Sequence, residues 1–214
     1  MMKKFILLFI FLISITINSQ TKAEKELGVW YMYNGTHKLS EKFSLKTMAH
    51  FRFFEVGDDL QQFISRLGVN YKINKNLSIT VGQAFLNTDQ TYDLNGGDGY
   101  ENRIYEDFNV KHAIAKLGLA HRLRAEQRFF ESGTGHFLRY QLGLSYPISG
   151  KWSTYLYDEI FMDFEGENFN QNWLGAGFKY KVSKMVKLQL GYMNIRDAND
   201  RTFDRIQIGV ALNH

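Results

Sequence analysis

The sequence predicts an all-β chain folded as an up-and-down antiparallel transmembrane β-barrel of about ten strands. Apolar and polar residues alternate at period two through most of the chain, with no long window at period 3.6. Short turns and longer polar loops also alternate, as they do when a barrel has one rim of tight hairpins and one of long loops. Composition agrees. With 22% charged residues the chain is no bundle of transmembrane helices, and 15% aromatic residues with 18 glycines argue against disorder or a coiled coil. There is one proline and no cysteine, which removes a disulfide scaffold, thiolate metal sites, a cysteine nucleophile and a lipid-anchored N-terminal cysteine.

Residues 1–19 read as a cleaved signal peptide: Lys3 and Lys4, the apolar run Phe5 to Ile17, then Ser19 before the cut. That run is too short for a membrane helix, which takes about 20 residues. The formal charge of +4 includes those two lysines, so the exported chain is too weakly basic to suggest a nucleic-acid partner.

The strands follow in order. Phe43, Leu45, Thr47, Ala49, Phe51 and Phe53 share one face, against Lys42, Ser44, Lys46, His50 and Arg52. Next come Phe63, Leu67, Val69, Tyr71 and Ile73 against Gln62, Arg66, Asn70 and Lys72. Leu117, Leu119, Leu123 and Phe129 alternate with Arg122, Arg124, Glu126 and Arg128, and Leu138 to Tyr146 with Arg139 to Ser145. Two more runs cover Leu174 to Val182 and Val186 to Tyr192, and the last covers Ile206 to Leu212. Short turns fall at 74–76, near 112–116, at 147–151 and at 183–185, and longer loops at 55–60, 88–101, 131–135, 164–170 and 196–203. Ten strands from Leu39 onward allow antiparallel closure of residues 39–214. Leu27–Tyr33 would be an eleventh strand of the wrong direction, so 20–38 reads as a lumenal or rim segment. Twelve strands are the alternative.

Alternation does not say which face is inside. Tyr71, Tyr146, Trp152 and Tyr180 flank short turns on the apolar side, the arrangement of an interfacial aromatic girdle. Arg122, Arg124, Glu126 and Arg128 form a consecutive ionic stripe unlike a secreted β-protein's mixed surface. Strands of ten residues or more also exceed the usual length in globular sheets. The apolar face is therefore expected outward, toward lipid and lipopolysaccharide, in the outer membrane; a soluble binding barrel is the rival.

Charges in a narrow lumen should be paired. A register with residue numbers summing to 229 sets Glu101 opposite Arg128, Arg103 opposite Glu126 and Asp107 opposite Arg122, with Arg139 reaching Glu126 and Glu159 as a further acid. This ladder either fills the lumen as structure or forms a solute-selective constriction. Inward glycines at 68, 82, 118, 143, 177, 191 and 209 either relieve crowding in a tightly curved sheet or leave a cavity for Trp30, Tyr31 and Tyr33 as a plug.

No cofactor, metal or catalytic constellation is readable. The six histidines lack ligand spacing, and no phosphate loop or nucleophile elbow is present. The Asp93–Asn95 and Asp197–Asn199–Asp200 runs read as turn chemistry rather than calcium loops. Glu106 falls outward beside Phe108.

Several segments resemble a family of Gram-negative outer-membrane β-barrels known as a domain of unknown function. They are Leu27-Gly28-Val29-Trp30, Arg122-x-Arg124-x-Glu126-Gln127-Arg128-Phe129, Arg139-Tyr140-x-Leu142-Gly143-Leu144-Ser145-Tyr146-Pro147, Glu159-Ile160-Phe161, Phe169-x-Gln171-Asn172-Trp173 and Leu190-Gly191-Tyr192. The resemblance implies a fold and a location and carries no activity. The functional expectation is a porin-like or structural barrel with a charged lumen. A lipid- or lipopolysaccharide-modifying enzyme using His121 is the alternative.

Overall fold

The computed structural model describes residues 23–89, 98–166 and 168–214. The expected signal peptide and Asp93–Asn95 lie outside them. A short 3-10 turn, Ala23–Lys25, precedes eleven strands: β1 Leu27–Lys38, β2 Phe43–Phe53, β3 Leu60–Lys72, β4 Leu77–Asp89, β5 Asp98–Ile114, β6 Leu117–Phe130, β7 Gly133–Pro147, β8 Trp152–Asp163, β9 Asn168–Lys181, β10 Val186–Asp197 and β11 Thr202–Asn213.

The strands form one closed barrel. Consecutive strands pair antiparallel, and the seam closes by a parallel pair, β1 with β11, in register from Leu27↔Asp204 to Thr36↔Asn213. Two expectations are corrected here. Among the described residues the barrel has eleven strands, not ten or twelve, and residues 27–38 are wall rather than a lumenal or rim segment. The antiparallel-closure argument failed because a parallel seam satisfies the same edge hydrogen bonds with an odd count, as in the 19-stranded mitochondrial barrel. The shortest strand, β2, has 11 residues; at a 40° tilt it rises roughly 28 Å, enough for an apolar band of about 25 Å.

Four of the five short turns share one construction. A Ser or Asn side chain, that of Ser40, Asn74, Ser149 or Ser183, accepts a hydrogen bond from the backbone N–H three residues on, at 3.0–3.3 Å. The fifth, Ala115–Lys116, is a two-residue turn with Ala115 in the left-handed region at φ 53°.

Polarity is inverted relative to a soluble protein. Leu67, Phe178 and Leu190 are 55%, 51% and 59% exposed, while Arg124, Glu126, Arg139 and Glu159 are buried. The lumen is where the charges are.

Candidate functional site

The centre of the lumen is an ion-pair network on β5 to β8. The hairpin β5–β6 sets Arg103 opposite Arg128 and Asp107 opposite Arg124, with Glu101 opposite Phe130. Its residue numbers sum to 231, so the expected pairing is displaced by two and is wrong as drawn. The two-residue turn fixes this register. Arg124 pairs with the directly opposite Asp107 at 2.6 Å, and Arg103 with Glu101, two residues back on its own strand, at 2.5 Å. Glu126 is the shared acid, 2.6 Å from Arg128, 2.9 Å from Arg139, 3.4 Å from Arg103 and 3.6 Å from Arg124. Glu159 holds Arg139 and Arg122, both at 2.7 Å. All nine lumenal charges singled out in the sequence therefore belong to one cluster; Glu101 and Arg128 still meet, at 3.7 Å, whereas Asp107 pairs with Arg124 in place of Arg122.

Above it, toward the long loops, arginines lie on aromatic rings. Arg52 sits 3.6 Å from the Trp30 ring, Arg128 3.6 Å from Phe137 and Arg139 4.0 Å from Phe161. Trp30 meets Trp173 edge-on at 5.2 Å. On the β8–β11 side, Tyr155 and Tyr157 stack, and Gln207 links them by accepting from Tyr155 Oη at 3.3 Å and donating to Tyr157 Oη at 2.9 Å. Sequence reasoning missed Arg52 and the two tyrosines; their inward parity was the available signal.

These contacts pack the middle of the lumen. In a water-filled pore inward side chains would be wetted, but Leu86 and Met193 are 0% exposed and Glu159 2%. The inward glycines fit this packing. A Cβ at Gly68 or Gly82 would lie 2.4 or 2.6 Å from Tyr105 Oη, and one at Gly177 or Gly191 would meet Tyr155 Oη. The space left by those glycines takes tyrosines of neighbouring strands, not Trp30, Tyr31 and Tyr33. Tyr31 is outward, against Phe53.

Toward the short turns the lumen opens into a cavity of about 1030 Å³, whose lining runs from Ser40 and Lys75 at the rim to Tyr105 and Arg124 at depth. On the outer wall beside that rim lie Tyr71, Tyr146, Trp152 and Tyr180, with Tyr71 5.0 Å from Phe43 and Trp152 4.8 Å from Tyr180. His121 is also outward; its Nδ1 lies 2.8 Å from Tyr140 Oη, and its ring stacks on His112. In the 196–203 loop, Asp197 accepts backbone N–H bonds from Asn199 and Arg201, which is turn chemistry.

The family model described as "Protein of unknown function (DUF2490)" matches residues 27–207. The chain belongs to this family. The DUF2490 match begins at the first residue of β1 and ends within β11, the two strands of the parallel seam. No curated protein matches the chain. A solved structure similar to it is OmpTdeltaL8, a loop L8 deletion mutant of OmpT, an outer membrane protein of Vibrio cholerae. Identity is 13% and the TM-score 0.48, over 81% of this chain and 59% of that one, so the chain spans under two thirds of that relative's length.

Proposed function

We propose that this DUF2490 protein is an integral outer-membrane barrel, exported by a signal peptide at residues 1–19, whose lumen is closed at rest. Its role is structural, or restricted passage of small solutes after the lumenal packing rearranges. One observation carries the reading: leucines and phenylalanines are exposed on the outer wall while arginines and glutamates are buried inside. Such a wall has lipid and lipopolysaccharide as its surroundings, since about 25 cal/mol per Å² of apolar surface would otherwise be lost to water. The reading assigns no catalytic step, cofactor or nucleic-acid partner.

Fractionation tests it. The protein should sediment with outer membranes, resist extraction by salt and alkali, and stay in solution only with detergent. Recovery as a detergent-free soluble monomer would contradict the proposal. Phospholipid hydrolysis by the purified protein, abolished by His121→Ala, would favour the enzyme instead.

A further inference from the structure

The cavity at the short-turn end is lined unevenly. Lys46, Lys72 and Lys111 enter it from β2, β3 and β5, and Arg66, Arg122 and Arg124 line its deep end. The acids there are Asp107, held by Arg124 at 2.6 Å, and Glu41 on the rim. Arg122 is committed to Glu159 at 2.7 Å. Among the described residues Lys46, Lys72, Lys111 and Arg66 have no carboxylate partner, and Lys38, Lys42 and Lys75 add further positive charge to the lining. Lys46 donates only to Thr36 Oγ1, at 2.9 Å, and Arg66 Nε is buried without a hydrogen-bond partner.

Cations held close without counter-charges raise each other's energy unless an anion joins them. Lumenal walls of low dielectric also focus that positive potential. Asn34, Asn70, Thr36 and Thr80 supply neutral hydrogen-bonding groups on the same lining. The volume suits a molecule of metabolite size rather than one bare ion.

We propose that this vestibule is a binding site for a small, multiply charged phosphoryl anion, entering from the short-turn rim and held by Lys46, Lys72, Lys111 and Arg66. Lysines serve as mobile point charges for phosphate oxygens, and Arg66 offers its planar fork at the deep end. The site rests on the cavity and its charges, and it stands whether or not a solute ever crosses the barrel.

The test is titration calorimetry of the full-length protein in neutral detergent with inorganic tripolyphosphate. Saturable binding at low salt is expected, weakened about tenfold by Lys46→Gln/Lys111→Gln and further by added salt. Lys184→Gln, in a turn outside the cavity, should leave it unchanged. Glucose, which is neutral, should not bind. Thermal melts establish that the variants stay folded; should the double variant unfold, Lys72→Gln alone replaces it. No binding of tripolyphosphate, or binding equally strong in the lysine variants, would overturn the proposal. Failure here leaves the membrane fractionation unaffected, so the two readings fail separately.

Discussion

Arg139 and Glu126 lie on adjacent strands two residues out of cross-strand register, and Arg139 Nη1 nevertheless donates to Glu126 Oε1 at 2.9 Å. The same guanidinium donates through Nε to Glu159 Oε1 at 2.9 Å. One arginine thus ties β6, β7 and β8 together, and Glu126 in turn gathers arginines from three strands. Diagonal contacts of this kind are open to long side chains when the directly opposite residue carries a like charge.

The first prediction concerns Glu126. Glu126→Gln leaves four guanidiniums short of an acid, and removing one partner from a buried ionic network costs about 3–5 kcal/mol. Arg103→Gln should cost less, because Glu101 keeps Arg128 nearby and Glu126 keeps three other partners. Arg124 is a poorer comparison, since its loss would strand Asp107. Thermal melts in detergent check the order; equal losses for Glu126→Gln and Arg103→Gln would show that the acid is not the hub.

Glycines 191 and 143 should behave oppositely. A Cβ at Gly191 would lie 2.8 Å from the Ala176 carbonyl oxygen as well as against Tyr155, whereas at Gly143 the nearest atom is 3.6 Å away. Gly191→Ala should therefore destabilise by about 1–3 kcal/mol through overpacking. Gly143→Ala should be neutral or stabilise by up to about 1 kcal/mol by restricting the unfolded chain. Equal effects would mean that the glycines serve sheet curvature rather than the tyrosines.

Glu106 is exposed on the outer wall, opposite Val81 and Ala125. A carboxylate facing lipid in mid-strand is unfavourable by roughly 1–2 kcal/mol, less than a cation at the bilayer midplane. Glu106→Leu should raise stability by that order in denaturant titrations of the lipid-reconstituted barrel. A loss of stability would mean that this face meets something other than acyl chains.

The parallel seam makes a topological prediction. Because β1 runs alongside β11, a protease site inserted just before Leu27 and one in the 183–185 turn must lie on opposite rims. Reconstituted vesicles of one orientation should therefore lose only one of the two sites to external protease. Loss of both from one side would contradict the direction of β1.

The wall was legible because period two survives in every strand: Phe51, Leu67 and Ile208 were separable from Arg66, Arg122 and Arg139 by parity alone. β1 was misread despite clear alternation, because its direction conflicted with an even, antiparallel count; nothing local in Leu27–Tyr33 announces a parallel partner 177 residues away at Asp204. The two-residue slip has a similar origin. Ala115 adopts a backbone conformation that usually advertises itself through glycine or asparagine, so the turn centre was invisible and the charge pattern alone chose the register. Lys46 and Lys72 stood on the polar face by parity, but nothing in the sequence brought Lys111 to them or showed that the three line one cavity.

The closed lumen is the centre of this account, and single-channel recording in planar bilayers tests it most directly. Purified protein should insert without producing steady, ohmic conductance, because inward side chains such as Leu86, Met193 and Glu159 are packed out of water's reach around the ion-pair network. A stable open level recorded with each insertion would contradict it.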